Sequence, residues 1–165
     1  MLNKILVAID HSTMSRKVFE VGLSLAETTG ASLMLLHVFS LAEQNYRTAL
    51  FASELVDEPS PEMRDKSLSE TYQEKWQQWE ERGRAFLDSL SREATKAGVH
   101  TEFTQTWGEP GLDICDLAQT WSAELIILGS RGLTGLKEMW LGSVSNYVTH
   151  HAPCSVLIVR QDAED

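Results

Sequence analysis

The most informative pattern in this chain is the segment Leu125-Ile-Ile-Leu-Gly-Ser-Arg-Gly-Leu-Thr-Gly-Leu-Lys-Glu-Met-Trp-Leu-Gly-Ser-Val-Ser145. Its apolar start, Leu125–Leu128, predicts a buried strand, and the end leads into a predicted helix, Ser143–His151. The glycines between them lack Cβ atoms, so the backbone can approach an anion closely. Because the first amides of a helix are unpaired and lie at its positive dipole end, the segment predicts a phosphate-binding turn between a strand and a helix.

Strands and helices are predicted to alternate along the rest of the chain. The predicted strands are residues 4–9, 31–39, 99–106, 125–128 and 155–159, and the predicted helices are residues 18–29, 68–97, 111–121 and 143–151. Alternation of this kind is typical of βαβ units, which form a parallel sheet with helices on both faces. Such sheets bind ligands at the carboxyl edge of their strands, where the glycine-rich turn begins. At 165 residues we expect one domain, residues 1–165.

One region departs from the alternation. Residues 41–64 show no clear period and contain the turn-like Asp57-Glu-Pro-Ser-Pro61, so we interpret about 41–66 as a variable, loop- or lid-like insertion. From Leu68 to Ala97 apolar residues recur every three or four positions, which predicts a helix of roughly 45 Å. That is too long to lie wholly on a small sheet, so we expect its first half to extend beyond the sheet and its tryptophans to serve in packing.

Charge and composition exclude several classes of protein. The net charge of −10, without a cluster of Lys and Arg, argues against nucleic-acid binding. No apolar run reaches the roughly 18 residues of a membrane-spanning helix, and Asp10 interrupts the apolar start too early for a signal peptide. Cys115 and Cys154 have neither metal-binding nor redox spacing, so we expect reduced thiols in a cytoplasmic protein.

The spacing of the glycines does not fit the two common nucleotide-binding motifs, but it is similar to that of a third motif. Neither the P-loop nor the dinucleotide fingerprint fits. Gly129, Gly132 and Gly142-Ser143 follow the pattern glycine, two residues, glycine, nine residues, glycine and serine, which resembles the universal stress protein motif. The similarity continues in the flanking segments, which are Ile5–Asp10, His37-Val38, Gly108-Glu-Pro110 and Ala152–Val159.

This resemblance implies a fold and a ligand. The fold is an open five-stranded parallel sheet of order 3-2-1-4-5, similar to the adenine nucleotide alpha-hydrolases. The ligand is ATP or AMP, with Mg²⁺ or Mn²⁺ held, if at all, through the phosphates. The implied contacts to adenine, ribose and phosphates are Ala8, Ile9, Asp10, Val38, Gly129, Ser130, Arg131, Gly132, Leu133, Thr134, Gly135, Gly142, Ser143, Val144 and Ser145.

Simpler roles remain open for several of these polar residues. Asp10 caps the turn after its strand, accepts hydrogen bonds from ribose hydroxyls or adenine, or holds a metal. His11 is expected to be an exposed turn histidine, and His37 a hydrogen-bonded core histidine. The hydroxyl groups of Ser143 and Ser145 are candidate donors to phosphate.

Three functions are compatible with this sequence. The first is a stress-responsive module that binds ATP or AMP and acts through partner proteins. The second is a slow Mg²⁺-dependent ATPase or phosphotransfer enzyme, for which the sequence offers no convincing catalytic base. The third is an interaction module that uses the long helix and its tryptophans.

The last predicted strand suggests how two chains assemble. In the implied order Ser155–Val159 lies at the edge of the sheet, and its residues are apolar and β-branched. An open edge of this kind pairs readily with another strand, so we expect a homodimer through Ser155–Val159.

A substitution in the glycine motif tests the phosphate-binding turn. Gly132→Val restricts the backbone and fills space beside the phosphates, so it should weaken adenine-nucleotide binding by at least about 2 kcal/mol. Titration calorimetry with ATP and AMP measures the change. Unaltered affinity in the variant would contradict the predicted turn.

Overall fold

The computed structural model describes residues 1–57, 68–130 and 141–160, without the side chains of residues 54–57 and 68–69. The described chain forms one sheet of five parallel strands in the order β3-β2-β1-β4-β5, which confirms the expected topology. The strands are β1 (Lys4–Ala8), β2 (Ser32–Phe39), β3 (Thr101–Trp107), β4 (Leu125–Gly129) and β5 (Ser155–Val159). The boundaries agree with the predicted strands to within two residues.

Five helices connect the strands and cover both faces of the sheet. They are α1 (Ser15–Thr29), α2 (Leu41–Asp57), α3 (Leu68–Lys96), α4 (Pro110–Thr120) and α5 (Ser143–His151). Residues of α1 and α3 pack on one face, and residues of α4 and α5 pack on the other. None of these helices is long and apolar enough to cross a membrane.

The central strand shows why the core has two layers. Successive side chains of a strand point to opposite faces, so Ile5 and Val7 contact the layer of α1 and α3, whereas Leu6 contacts the layer of α4 and α5. All three side chains are fully buried. A parallel strand covered on both faces therefore appears in the sequence as a continuous apolar run.

The expectation of a loop in residues 41–66 is wrong for its first part. Residues Leu41–Asp57 form the helix α2. Its inward-facing side chains follow helical spacing at Glu43, Arg47 and Phe51, but two of the three are charged. A pattern based on hydrophobicity cannot detect such a face. Residues 58–67 lie outside the described part of the chain.

The first half of α3 does not extend freely beyond the sheet. Tyr72 packs edge-on against the buried Phe51 of α2, with ring centroids 5.1 Å apart. Trp76 contacts Trp107 at the end of β3 at 5.2 Å and Phe39 of β2 at 6.3 Å. Helix α2 therefore covers the part of α3 that was expected to overhang, and the tryptophan stripe serves in packing as predicted.

Close packing of α1 on the sheet provides a test of this architecture. A Cβ atom at Gly22 would lie 2.7 Å from Cγ2 of Val7, a stiff side chain that is itself fully buried. Gly22→Val should lower the free energy of unfolding by about 1–3 kcal/mol because the helix must move away from β1. Urea denaturation followed by circular dichroism measures the change. Ser24→Ala, on the exposed side of α1, serves as the control, and equal stability of both variants would contradict the close approach.

Candidate functional site

A cavity of about 660 Å³ lies at the carboxyl edge of the sheet. The ends of β1, β2 and β4 form its floor, and the first residues of α4 and α5 form one side. It coincides with the position where the chain, after running from β1 to β2 and β3, crosses back to β4 on the other side of β1. Open α/β sheets bind ligands at this reversal of strand order, because the two flanking connections separate there.

Most of the expected site residues that the structure describes line this cavity. They are Ala8, Ile9, Asp10, Val38, Gly129, Gly142, Ser143, Val144 and Ser145. Ser130 lies behind the wall, where it is buried and its amide donates to the carbonyl of Val159 at 2.8 Å. The remaining expected residues, Arg131, Gly132, Leu133, Thr134 and Gly135, lie outside the described part of the chain.

The Asp10 carboxylate organises the turn that follows β1. Its Oδ1 atom accepts hydrogen bonds from the Ser12 amide at 2.9 Å and from the Ser15 hydroxyl at 2.8 Å. The Ser12 hydroxyl donates to the same oxygen. Asp10 thus has the capping role that the sequence left open, and this role holds the carboxylate in a fixed position on the cavity wall.

The start of α5 presents backbone donors to the cavity. Gly142 has extended backbone angles (φ −68°, ψ 164°), and its amide donates to the Ser130 carbonyl at 2.6 Å. The first helical hydrogen bond within α5 runs from Asn146 to Gly142. The amides of residues 143–145 therefore precede the hydrogen-bonded part of the helix, as the first amides of any helix do. They form a cluster of donors at the positive end of the helix dipole.

Ser145 has a different role from the expected one. Its hydroxyl lies 3.0 Å from the carbonyl oxygens of both Ser130 and Gly142, to which it donates, and the side chain is buried. The proton is therefore used to connect the end of β4 with the start of α5. The hydroxyl stabilises the shape of the turn that leads into α5, and the amide of residue 145 stays among the first amides of the helix.

The described wall of the cavity carries negative but no positive side chains. Asp10, Glu43 and Glu109 line it, whereas no Lys or Arg occurs among the lining residues that the structure describes. The nearest cations in sequence, Arg131 and Lys137, lie outside the described residues. An anionic group would therefore bind at the α5 amides, while a group with hydroxyl donors suits the carboxylates.

Sequence reasoning missed two segments of the wall. Residues Glu109–Leu112 lie at the start of α4 and line the cavity. Their position could have been predicted, because they follow the carboxyl end of β3 and all parallel strands of the sheet end at the same edge. Residues Ser40–Glu43 were missed together with α2.

Gly111 has a steric role at the start of α4, since a Cβ atom would lie 2.7 Å from the Tyr147 ring and would push α4 away from α5.

The histidines near the cavity differ in how well they were predicted. His37 is a buried, hydrogen-bonded core residue, as expected. The expectation that His11 is an exposed turn residue is wrong, because its Nε2 atom is fully buried and its ring stands against His37. Burial, with a further contribution from His37, lowers the pKa of His11 to about 4.

Comparison with known proteins identifies the family. The profile described as "Universal stress protein family" matches residues 1–160. The chain belongs to the universal stress protein family. Universal stress protein Sll1388 of Synechocystis is 34% identical over 157 residues, covering 95% of this chain and 97% of that protein. Universal stress protein YxiE of Bacillus subtilis is 37% identical over 164 residues, covering 97% of this chain and all of that protein.

Solved structures of the universal stress protein family share the fold. UspA from Lactobacillus plantarum superposes with a TM-score of 0.67 at 24% identity, covering 96% of this chain and 98% of that one. A family protein of Arabidopsis thaliana with AMP bound gives 0.65 at 22% identity, covering 98% and 93%. A universal stress protein of Archaeoglobus fulgidus in complex with dAMP gives 0.58 at 18% identity, covering 96% and 98%.

Proposed function

We propose that this universal stress protein binds an adenine nucleotide, ATP or AMP, in the cavity at the carboxyl edge of the sheet. The observation that carries the proposal is the meeting of the α5 amides with the end of β4 at one side of that cavity. A helix start of this kind binds phosphate without a cationic side chain. AMP and dAMP bound to the Arabidopsis and Archaeoglobus proteins support an adenosine monophosphate unit as the ligand.

The distribution of polar and apolar groups orients the nucleotide. The apolar wall consists of Leu36 and Val38 from β2 and Ile114 from α4, a surface suited to a flat base. The Asp10 carboxylate accepts hydrogen bonds and therefore suits ribose hydroxyls. The phosphates then lie at the start of α5, whose first amides have no partner within the helix. Mg²⁺ or Mn²⁺ would enter with the phosphates of ATP.

The proposed physiological role is a nucleotide-dependent module of a stress response. In such a module the nucleotide changes the surface that a partner protein contacts, and no chemical step is required. The membership of the family supports this role. Two alternatives from the sequence can be distinguished by experiment. Nucleotide turnover with Mg²⁺ would favour the slow ATPase, and partner binding that does not depend on the glycine-rich turn would favour the interaction module.

Filling the base-binding side of the cavity tests the nucleotide proposal. Ala8 lies at the end of β1 and lines the cavity. Ala8→Leu places a larger side chain in the space assigned to the nucleotide, so affinity for ATP and AMP should fall by at least about tenfold, or 1.4 kcal/mol. Titration calorimetry of the wild type and the variant measures this.

The control for that experiment is Ala52→Leu, because Ala52 is exposed on α2 and does not line the cavity. Circular dichroism shows whether both variants fold. If millimolar ATP and AMP produce no binding heat with the wild type, or if Ala8→Leu binds as the control does, the assignment of the cavity is wrong.

We also infer a homodimer joined through β5. Among residues 1–57, 68–130 and 141–160 this strand has one neighbouring strand, β4, so its other edge is open to pairing with a further strand. Val156 and Ile158 pack into the core layer of α4 and α5, whereas Leu157 is 36% exposed. An apolar open edge is covered most simply by the same strand of a second copy, antiparallel about a two-fold axis.

Leu157→Lys tests the dimer better than substitution of the core-facing Ile158. A lysine at an exposed edge position opposes strand pairing between chains without removing a core contact. Light scattering at micromolar concentration should give twice the chain mass of 18.5 kDa for the wild type and the single mass for the variant. Leu50→Lys, an exposed leucine on α2, is the control and should remain dimeric. A monomeric wild type, with and without nucleotide, would contradict the proposal.

A further inference from the structure

Two histidines and a glutamate meet on the side of β2 that faces away from the nucleotide cavity. Leu36 and Val38 line that cavity, so the intervening His37 points to the opposite face, towards α1 and α3. There it meets His11, from the turn after β1, and Glu43, from the first turn of α2. His37 and Glu43 are both buried.

The ligand atoms of these three residues are close together. One ring nitrogen from each histidine and one carboxylate oxygen of Glu43 lie within 4.8 Å of one another. The His37 Nε2 and Glu43 Oε2 atoms are 3.2 Å apart, and the two imidazole rings meet edge to face at 4.5 Å between centroids. Ligands of a tetrahedral zinc ion are about 3.4 Å apart, so small side-chain rotations are enough to bring these donors to coordination distance.

The surrounding hydrogen bonds determine what the His37 nitrogens can do. Gln105 donates its side-chain amide to the carbonyl of Glu80 at 3.1 Å, so the Gln105 oxygen is the atom that faces His37 Nδ1, at 3.4 Å. An oxygen of this kind only accepts hydrogen bonds, which assigns the proton to Nδ1. In the neutral imidazole the Nε2 lone pair then points at the Glu43 carboxylate, which is also an acceptor.

Two arrangements would remove the repulsion between the His37 Nε2 lone pair and the Glu43 carboxylate. Either His37 carries a second proton, or a cation lies between Nε2 and the carboxylate. The neighbouring His11 favours the cation. Its Nε2 atom is buried and has no hydrogen-bond partner among the residues that the structure describes. An unpartnered nitrogen in a buried position is costly unless it has a ligand.

Helix α3 packs closely against that nitrogen. A Cβ atom at Gly83 would lie 3.0 Å from His11 Nε2 and 2.6 Å from Gln105 Oε1. Any residue other than glycine would therefore push these two polar atoms away. Glycine in the middle of a helix costs about 1 kcal/mol relative to alanine, and here it allows α3 to approach the His11 and Gln105 side chains.

We propose that His11, His37 and Glu43 form a zinc-binding site next to the nucleotide cavity, with which it shares Glu43. Two neutral imidazoles and a carboxylate are a ligand set that zinc uses in proteins, with a water or another group in the fourth position. The hydrogen bond that His37 Nδ1 donates to the Gln105 oxygen has the role of an outer contact that fixes the metal-binding tautomer. Mg²⁺ and Ca²⁺ prefer oxygen ligands and do not suit this set.

The charges around the site are consistent with a divalent cation. The Arg47 guanidinium bonds to Glu43 Oε1 at 2.9 Å, which leaves Oε2 directed at His37. Arg47 itself stands over the Trp79 ring, with its guanidinium carbon 5.4 Å from the ring centroid.

Metal titration of the intact protein tests the site. The protein is first treated with a chelator, and then Zn²⁺ is titrated by calorimetry and Co²⁺, as a coloured substitute, by visible absorption. We expect one ion per chain and the intense visible bands of tetrahedral Co²⁺. His11→Gln and His37→Gln should each weaken binding by at least about a hundredfold, since even the loss of an outer contact costs 10–100-fold.

The control is His100→Gln, because His100 is an exposed histidine that pairs with Glu102 away from the site. It should bind both metals as the wild type does. His11 lies in a turn, so His11→Gln keeps the test informative if substitution of the core residue His37 impairs folding. The proposal is overturned if the wild type takes up no metal at equimolar concentration, if uptake persists in folded His11→Gln, or if His100→Gln loses it equally. Each readout is independent of nucleotide binding.

Discussion

The structure depends on the burial of β1 between two neighbouring parallel strands and two layers of helices. Its residues pair with β2 on one side and with β4 on the other, and Ile5, Leu6 and Val7 are fully buried. Because the strand order reverses around β1, the connections that leave β1 and β4 separate at the carboxyl edge. The cavity is the space between them, so the same pairing that forms the core also forms the site.

Much of this arrangement could be predicted from the sequence because its signals are local. The apolar strand Leu125–Gly129 and the helix Ser143–His151 have the predicted types and nearly the predicted bounds. Nine of the expected site residues line the cavity, as the resemblance to the universal stress protein family implied. The strand ends among them share one edge of the sheet, which the predicted parallel topology also brings together.

The parts that could not be predicted depend on contacts between polar groups. Helix α2 was missed because Glu43 and Arg47 occupy its inner face, where hydrophobic residues are normally the signal. His11 was assigned to solvent because nothing in its neighbouring sequence shows that His37, more than 20 residues away, covers it. The role of the Ser145 hydroxyl likewise depends on the carbonyl of Ser130, which is brought near only by the fold.

The same polar contacts connect the two proposed sites that flank β2. Asp10 lines the proposed nucleotide cavity, whereas the adjacent His11 contacts His37 on the opposite face. Glu43 belongs to both, because it lines the cavity and its Oε2 atom lies 3.2 Å from His37 Nε2. A ligand in either proposed site would therefore contact the turn after β1 and the first turn of α2. Since coupling free energies are reciprocal, any effect of an ion at the histidines on nucleotide affinity would equal the effect of the nucleotide on affinity for the ion.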